Sequence, residues 1–177
     1  LRFLYAGATV VLHREFDPEE ALRAIERRSV TRVLLTPTMM AQILSLPSAG
    51  QFNLATLRTV LYGGSAIPID LLKRAIRFFR CGLVQSYGQV ESSGVLTFLH
   101  EEDHSMDESA PYMRKLMSVG KEAIGVEVRV VDEADRDVPP GTGGEILKRS
   151  PASMLGYYKN QAATDAVIKD GWLLTGD

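Results

Sequence analysis

A short polar stretch behind an apolar run carries side chains that can bind a nucleotide and a metal ion. It extends from Leu83 to Gly94 and reads Leu-Val-Gln-Ser-Tyr-Gly-Gln-Val-Glu-Ser-Ser-Gly. Tyr87 offers a flat apolar face with a polar tip, Gly88 lets backbone approach a ligand closely, and the Glu91 carboxylate is a hard oxygen donor suited to magnesium. The simpler interpretation of this stretch alone is that Tyr87 caps a core and Glu91 is a solvated loop carboxylate.

A second polar turn, Gly63-Gly64-Ser65, follows a predicted strand and precedes a predicted helix. Free backbone amides and the helix dipole can receive an electron-rich ligand at such a place. Two glycines at the end of a strand are more often only a tight turn. The turn becomes informative only in combination with other motifs.

Other side chains that could do chemistry give little support to alternative mechanisms. His13, His100 and His104 lack the spacing of metal ligands, so no metal is assigned to them. The chain has no Gly-x-Ser-x-Gly elbow, and its single cysteine, Cys81, has no convincing partner for covalent catalysis. One cysteine fits a reducing compartment, and we expect a cytoplasmic protein.

The amino-acid composition limits the classes of molecule that the chain is expected to bind. The chain has 177 residues with 45% hydrophobic content, and 20 basic against 22 acidic side chains leave a formal charge of −2. This balance shows no electrostatic footprint for nucleic acid or an anionic membrane, and no apolar run is long enough to predict a transmembrane segment. The expected partners are small molecules.

The elements that must position these residues alternate along the first part of the chain. We predict strands at residues 7–12, 31–36, 57–62 and from Gly82 onward, with the helices between them beginning near Pro18, at Met39 and after Pro68. Tyr87 and Glu91 are then expected in the turn at the carboxyl end of the last of these strands, where open α/β sheets bind ligands. Alternation of this kind predicts an α/β fold with a parallel βαβ layer.

The pattern changes near Pro111, so we predict an α/β subdomain over residues 1–110 and a smaller, mostly antiparallel β subdomain over residues 111–177. Residues 125–132 alternate apolar and polar side chains, and residues 144–148 form a second predicted strand. Pro139-Pro140-Gly141 lies between them and indicates the tip of an antiparallel hairpin.

An ordered series of six motifs resembles the adenylate-forming, AMP-binding enzymes, and most closely the fatty-acyl and related acyl-CoA ligases. The resemblance covers nearly the whole chain. The matching segments are 61–68 (Leu-Tyr-Gly-Gly-Ser-Ala-Ile-Pro), 86–91 (Ser-Tyr-Gly-Gln-Val-Glu), 118–121 (Ser-Val-Gly-Lys), 138–146 with its Pro-Pro-Gly turn, 156–160 (Gly-Tyr-Tyr-Lys-Asn) and 170–177 (Asp-Gly-Trp-Leu-Leu-Thr-Gly-Asp).

The resemblance implies two half-reactions. A carboxylate attacks the α-phosphate of ATP to form an acyl-adenylate, and a thiol, usually that of coenzyme A, then displaces AMP. By position, it implies that Glu91 is the catalytic residue that binds Mg²⁺, that Tyr87 stacks on adenine and that Asp177 accepts from both ribose hydroxyls. The adenine and acyl pockets would be lined by Gly63, Gly64, Ser65 and Ser86, with Gly88 in the same nucleotide-binding stretch.

Two departures from the family pattern bear on activity. Val90 stands where the family usually has a threonine whose hydroxyl bonds the α-phosphate, and losing such a donor costs on the order of a hundredfold in rate. The sequence also contains neither the Ser/Thr/Gly-rich phosphate loop nor the C-terminal domain with its lysine. We therefore expect a piece of a longer polypeptide that is inactive in isolation. An aryl- or amino-acid-activating enzyme and a non-catalytic nucleotide- or acyl-binding module remain alternatives.

Overall fold

A computed structural model describes residues 2–106 and 109–177 of the chain. The chain divides into two compact units, Leu1–Leu83 and Val84–Asp177, and strand β3 (Gly82–Gln89) runs through the division. The subdomain boundary predicted between residues 110 and 111 stays a prediction. No helix within the described residues is both long enough and apolar enough to cross a membrane.

The first unit is built from βαβ alternation. Strands β1 (Arg32–Leu35) and β2 (Thr59–Gly63) pair in parallel, with Arg32 opposite Thr59 and Leu35 opposite Tyr62, and helix α3 (Pro37–Ser45) lies between them in the chain. The start of β3 joins this unit, where Gly82 N donates to Arg58 O at 3.0 Å. The elements of the unit are α1 (Arg2–Tyr5), α2 (Pro18–Arg28), β1 (Arg32–Leu35), α3 (Pro37–Ser45), a 3₁₀ turn at Ala49–Gln51, β2 (Thr59–Gly63) and α4 (Ile69–Phe79).

Local sequence signals explain where two of these helices begin. Asp17 caps α2 by accepting a hydrogen bond from Glu20 N at 2.8 Å, and Pro18 follows as the first helical residue. Thr36 caps α3 in the same way, accepting from Met39 N at 3.3 Å. The apolar faces meet in a core formed by Leu22, Ile25, Leu35, Met40, Ile43, Val60, Tyr62, Leu72, Ala75 and Phe79.

The strand predicted at residues 7–12 is wrong. Those residues adopt no regular strand, and Val10, Val11 and Leu12 are exposed. Val10 and Val11 are β-branched and favour a strand locally, but among the described residues no strand pairs with this segment. Strand propensity depends on packing against such a neighbour, so composition alone misled the prediction.

The second unit contains the rest of β3 and two antiparallel arrangements. In the first, β3 pairs with β4 (Gly94–Leu99) and β4 with β5 (Lys121–Glu122). The second is a four-stranded sheet in the order β6 (Glu127–Val131), β7 (Glu145–Arg149), β9 (Trp172–Leu174), β8 (Ile168–Lys169). Its elements after β3 are β4 (Gly94–Leu99), a 3₁₀ turn at Glu101–Asp103, α5 (Ala110–Leu116), β5 (Lys121–Glu122), β6 (Glu127–Val131), β7 (Glu145–Arg149), α6 (Gln161–Val167), β8 (Ile168–Lys169) and β9 (Trp172–Leu174).

The sheets confirm the predicted fold class, an α/β protein with parallel strands followed by a mostly antiparallel region. The predicted hairpin is present, because β6 pairs antiparallel with β7 from Glu127 opposite Arg149 to Val131 opposite Glu145. One local expectation is corrected: Tyr87 and Gly88 lie in β3, not in a turn. The strand continues because Tyr87 pairs with Thr97 of β4, and the register shifts between Tyr87 and Gly88.

Candidate active site

The turn that carries Glu91 joins β3 to β4 and comprises residues 90–93, called here the Glu91 turn. Ser92 N donates to Gln89 O at 3.2 Å, and Ser93 N donates to Val90 O at 2.9 Å. The Ser92 hydroxyl is buried beneath the turn and donates to Gln89 O at 2.7 Å, with Gly94 O as a second acceptor. The turn is therefore closed by its own backbone and by one buried serine.

Glu91 itself is tied to residues far along the chain. Its carbonyl oxygen accepts from Met154 N at 2.9 Å, and its carboxylate Oε1 accepts from the Tyr157 hydroxyl at 2.9 Å. The adjacent carboxylate raises the pKa of Tyr157, so the phenol keeps the proton that it donates. Both the backbone and the side chain of Glu91 are thus held in place.

Helix α6 sets the position of Tyr157. Asn160 caps this helix by accepting from Ala163 N at 3.1 Å, and the first turn of the helix presents the buried Thr164. Thr164 Oγ1 accepts from Tyr157 N at 2.9 Å and donates to Asn160 O at 3.0 Å. The loop before α6 is fixed by this bond, and with it the tyrosine that contacts Glu91.

The same unit contains a second contact between a tyrosine and a carboxylate, that of Tyr87 with Asp177. The Tyr87 hydroxyl donates to Asp177 Oδ2 at 2.5 Å, and burial followed by this hydrogen bond raises the pKa of Tyr87 to about 12. Asp177 O accepts from Ile146 N of β7 at 3.0 Å, which anchors the aspartate beside that strand. The structure therefore brings together two of the residues predicted to bind the nucleotide.

The other predicted residues of the second unit, Ser86, Gly88 and Val90, are neighbours of Tyr87 and Glu91 in the chain. Ser86 is half-buried in β3 opposite Phe98, and Gly88 lies so close to β4 that a Cβ atom added to it would collide with Gly94 O. Val90 is 90% exposed at the tip of the Glu91 turn. Because its side chain does not pack in the core, packing does not restrict which residue can occupy this position.

The remaining predicted residues, Gly63, Gly64 and Ser65, lie in the first unit. Gly63 ends β2, and Gly64 follows with a φ of +86°, a conformation that glycine adopts at little cost. Gly64 and Ser65 are exposed, and a Cβ atom added to Gly64 would meet nothing within 4 Å. This segment is an open turn with room beside its backbone.

The residues around Glu91 fit a magnesium ion that is partly coordinated by a nucleotide and water better than a metal ion whose ligands all come from the protein. Among the described residues, no group of three or more His, Cys, Asp or Glu side chains is arranged to hold a metal. Magnesium commonly binds through one or two carboxylates together with water and substrate phosphates, so a single half-buried glutamate is a sufficient protein ligand. The donor set agrees with a metal that arrives with a nucleotide.

Sequence reasoning missed the residues that hold the Glu91 turn, namely Met154, Tyr157 and Lys148, whose Nζ donates to Ser92 O at 2.8 Å. Tyr157 lay within a recognised motif but was given no role. Met154 acts through its backbone N–H and has no sequence signature. Lys148 left a readable signal, because a lysine stands two residues after Ile146 on a predicted strand, where the alternating pattern places an apolar side chain.

Comparison with known proteins defines the class to which this fold and site belong. Residues 1–158 match the family described as AMP-binding enzyme. A medium/long-chain-fatty-acid–CoA ligase of Mycobacterium tuberculosis is 37% identical over 171 residues, covering 97% of this chain and 29% of the relative. The chain therefore belongs to the AMP-binding enzyme family, which confirms the predicted resemblance, and it spans less than a third of the length of this relative.

Solved structures agree with this assignment. An amide bond synthetase from Marinactinospora thermotolerans superposes with a TM-score of 0.89 at 35% identity, covering 98% of this chain and 34% of that one. An o-succinylbenzoate coenzyme A synthetase of Bacillus subtilis, solved in complex with ATP and magnesium ion, superposes with a TM-score of 0.81 at 30% identity, covering 99% and 34%. The fold described above is that of enzymes in this family.

Proposed function

We propose that this chain is the central part of a longer ATP-dependent acid–thiol ligase that activates a carboxylic acid as its acyl-adenylate. The observation that carries this proposal is how firmly the Glu91 turn is held. The Glu91 carboxylate, the Glu91 carbonyl and the Ser92 carbonyl each accept a hydrogen bond from a residue between positions 148 and 157. A solvated loop glutamate has no need of such support. A metal ligand does, because its position must be fixed before the substrate arrives.

The reaction needs positioning more than a protein nucleophile. A substrate carboxylate oxygen attacks the α-phosphorus of ATP, the α–β bridging bond breaks and pyrophosphate leaves; a thiol sulfur, proposed to be that of coenzyme A, then attacks the acyl carbon and AMP leaves. Bound Mg²⁺ would neutralise phosphate charge during the first step. Glu91 would hold this ion, with the Tyr157 hydroxyl orienting the carboxylate.

The nucleotide contacts are assigned by motif position and by the geometry of each residue. Tyr87 would present its ring to adenine, with its hydroxyl fixed by Asp177, and Asp177 would receive the ribose hydroxyls through the oxygen that Tyr87 does not occupy. Gly88 and Ser86 would border the base. The open turn at Gly63, Gly64 and Ser65 would contribute to the adenine and acyl pockets through its exposed backbone.

We propose a fatty acid as the substrate, by analogy with the named activity of the Mycobacterium tuberculosis relative. Relatives named for succinylbenzoate and for amide bond synthesis show that both the acid and the acceptor vary across the family. An aryl acid or amino acid is the alternative within the same chemistry. A cytoplasmic location goes with the proposed use of ATP and coenzyme A.

A second candidate function is favoured by Val90, which lacks the hydroxyl that this position supplies to the α-phosphate in the family. A non-catalytic module that binds a nucleotide or an acyl group would tolerate this loss. The support that converges on Glu91 favours the enzyme, because binding alone does not require an oriented metal ligand.

ATP–pyrophosphate exchange by the full-length protein tests the proposal. Exchange that depends on an added carboxylic acid, with fatty, aryl and amino acids compared in parallel, supports the ligase and ranks the acids. Absence of exchange with every acid, accompanied by measurable ATP binding in a calorimetric titration, supports the binding module. We expect the isolated chain to bind ATP weakly, because contacts to the β- and γ-phosphates need a phosphate loop.

A further inference from the structure

Lys148 occupies a position where a charged side chain is unfavourable. It lies in β7, opposite Val128 of β6 and Leu173 of β9, and only 1% of its surface is exposed. An ammonium group in such surroundings costs free energy unless it is paired or hydrogen-bonded. The burial also lowers the pKa of Lys148 from its usual value.

The Lys148 ammonium is directed at the backbone of the Glu91 turn. Its Nζ donates to Ser92 O at 2.8 Å, and within the described part of the chain no carboxylate oxygen lies within ion-pair distance of it. Among the described residues, the lysine therefore has no acidic partner that would make it one half of a buried salt bridge. Its charge-assisted hydrogen bond goes to the carbonyl group of the residue that follows Glu91.

Two consecutive peptide groups are held as a result. Met154 N fixes Glu91 O and Lys148 Nζ fixes Ser92 O, and both donors come from β7 or the loop that follows it. Without the lysine, the Ser92 carbonyl would lose this donor and the turn could rotate about the peptide that carries Glu91. The Tyr157 hydroxyl would then meet a carboxylate that is no longer in a fixed place.

We propose that Lys148 is a positioning residue that acts through the Ser92 carbonyl to hold Glu91 where the proposed magnesium ion binds. This role rests on the proposed function of Glu91 as a metal ligand. Lys148 does not touch substrate in this arrangement. Residues that orient a metal ligand typically contribute about 10–100-fold in metal affinity or activity when removed, and we expect an effect of this size.

Magnesium titration of acid-dependent ATP–pyrophosphate exchange tests the role in the full-length protein. Lys148→Met keeps the unbranched apolar stem, shorter by one atom, but removes the donor, and should raise the magnesium concentration for half-maximal exchange by about tenfold. Lys169→Met is the matched control, because Lys169 is an exposed strand lysine, and it should leave the magnesium dependence unchanged. Binding of Mn²⁺ in the presence of ATP, measured without turnover by water-proton relaxation, should weaken by about the same factor in Lys148→Met and stay unchanged in Lys169→Met. Circular dichroism checks that each variant is folded.

A combination with Glu91→Gln separates positioning from general structural support. If Lys148 acts through Glu91, adding Lys148→Met to Glu91→Gln should change the remaining rate by less than about twofold, whereas independent effects would multiply. Multiplying effects would overturn the proposal. If folded Lys148→Met needs the same magnesium concentration for half-maximal exchange as wild type, the proposal is also overturned. A lower magnesium concentration would overturn it as well, because it would identify the Lys148 ammonium as a charge that repels the metal ion.

Lys148→Gln is the second variant if Lys148→Met does not fold, and the same shift in magnesium dependence is expected from it. Failure of both variants to fold would show that the lysine maintains the sheet, and would overturn the positioning role. The proposed function fails separately, because a wild-type protein without acid-dependent exchange contradicts the ligase before any variant is compared.

Discussion

The Glu91 turn and the turn at Gly63, Gly64 and Ser65 are both short polar connections that follow a strand, but they are built in opposite ways. The Glu91 turn has a buried serine beneath it and accepts hydrogen bonds from residues more than fifty positions later in the chain. The Gly63–Ser65 turn is open, and in the described part of the chain the Ser65 hydroxyl makes no hydrogen bond. One turn is preorganised and the other is adaptable.

This difference matches the tasks proposed for the two turns. A metal ligand gains from a fixed position, because charge that develops on a phosphate must meet the metal without reorganisation of the protein. A turn that lines a pocket for a variable acid gains from free space beside its backbone. The contrast therefore predicts that substitutions in the Glu91 turn cost more than equivalent substitutions in the Gly63–Ser65 turn.

Glu91→Gln should have the largest effect, because it keeps the shape of the side chain and removes the charge that a metal requires. We expect acid-dependent ATP–pyrophosphate exchange by the full-length protein to fall by about a hundredfold or more. Glu101→Gln, which changes an exposed carboxylate in a 3₁₀ turn, is the matched control and should be neutral. Equal rates for wild type and Glu91→Gln would remove Glu91 from the mechanism.

A pair of glycine substitutions compares the stability contributed by strand β3, which leads into the Glu91 turn, with that of the Gly63–Ser65 turn. Gly88→Ala places a Cβ atom against Gly94 O and should lower the free energy of unfolding by about 3 kcal/mol. Gly64→Ala meets no atom and suffers only from its positive φ, at a cost of about 1 kcal/mol. Urea unfolding of both variants measures the two losses in the free energy of unfolding. Equal losses would show that Gly88 and Gly94 O are not as close as in this structure.

Tyr157→Phe removes the hydroxyl that orients the Glu91 carboxylate and leaves the ring. We expect about a tenfold loss in magnesium affinity or in exchange rate. The neighbouring Tyr158 is 88% exposed, so Tyr158→Phe is a control that differs by one position and should behave as wild type. Similar losses in both variants would indicate that the phenols act on the loop in general and not on Glu91.

Val90→Thr should have the smallest effect. The side chain is 90% exposed, so the added hydroxyl remains hydrated and stability should be unchanged. In a ligase that compensates elsewhere, single-turnover pyrophosphate release should change by less than about threefold. No release from wild type with any acid, followed by strong release from Val90→Thr, would instead favour the degenerate binding module.

The sequence was sufficient to predict the elements that local signals encode. Asp17 and Pro18 marked the start of a helix, and the alternation of residues 125–132 marked a strand that the structure contains. The same reasoning placed Tyr87 in a turn, because the extension of β3 depends on its pairing with β4, which no local signal at Tyr87 encodes.

Motif order assigned residues to the candidate site, and these assignments stay predictions; the structure adds that two of the residues, Tyr87 and Asp177, are hydrogen-bonded within one unit. Motif order did not predict what holds them. The donors to the Glu91 turn come from a strand and a loop far along the chain, and one of them is a backbone N–H, which every residue except proline carries. Long-range hydrogen bonds of this kind become visible only once the chain is folded.

The location of the bound metal ion decides whether Glu91 is a metal ligand. Crystals of the full-length protein grown with ATP and Mn²⁺, a substitute for magnesium that scatters anomalously, would locate the ion by its anomalous density. We expect a peak at coordination distance from the Glu91 carboxylate, with Ser92 O still bonded to Lys148 Nζ. A peak bound away from Glu91, with the Tyr157–Glu91 hydrogen bond undisturbed, would contradict it.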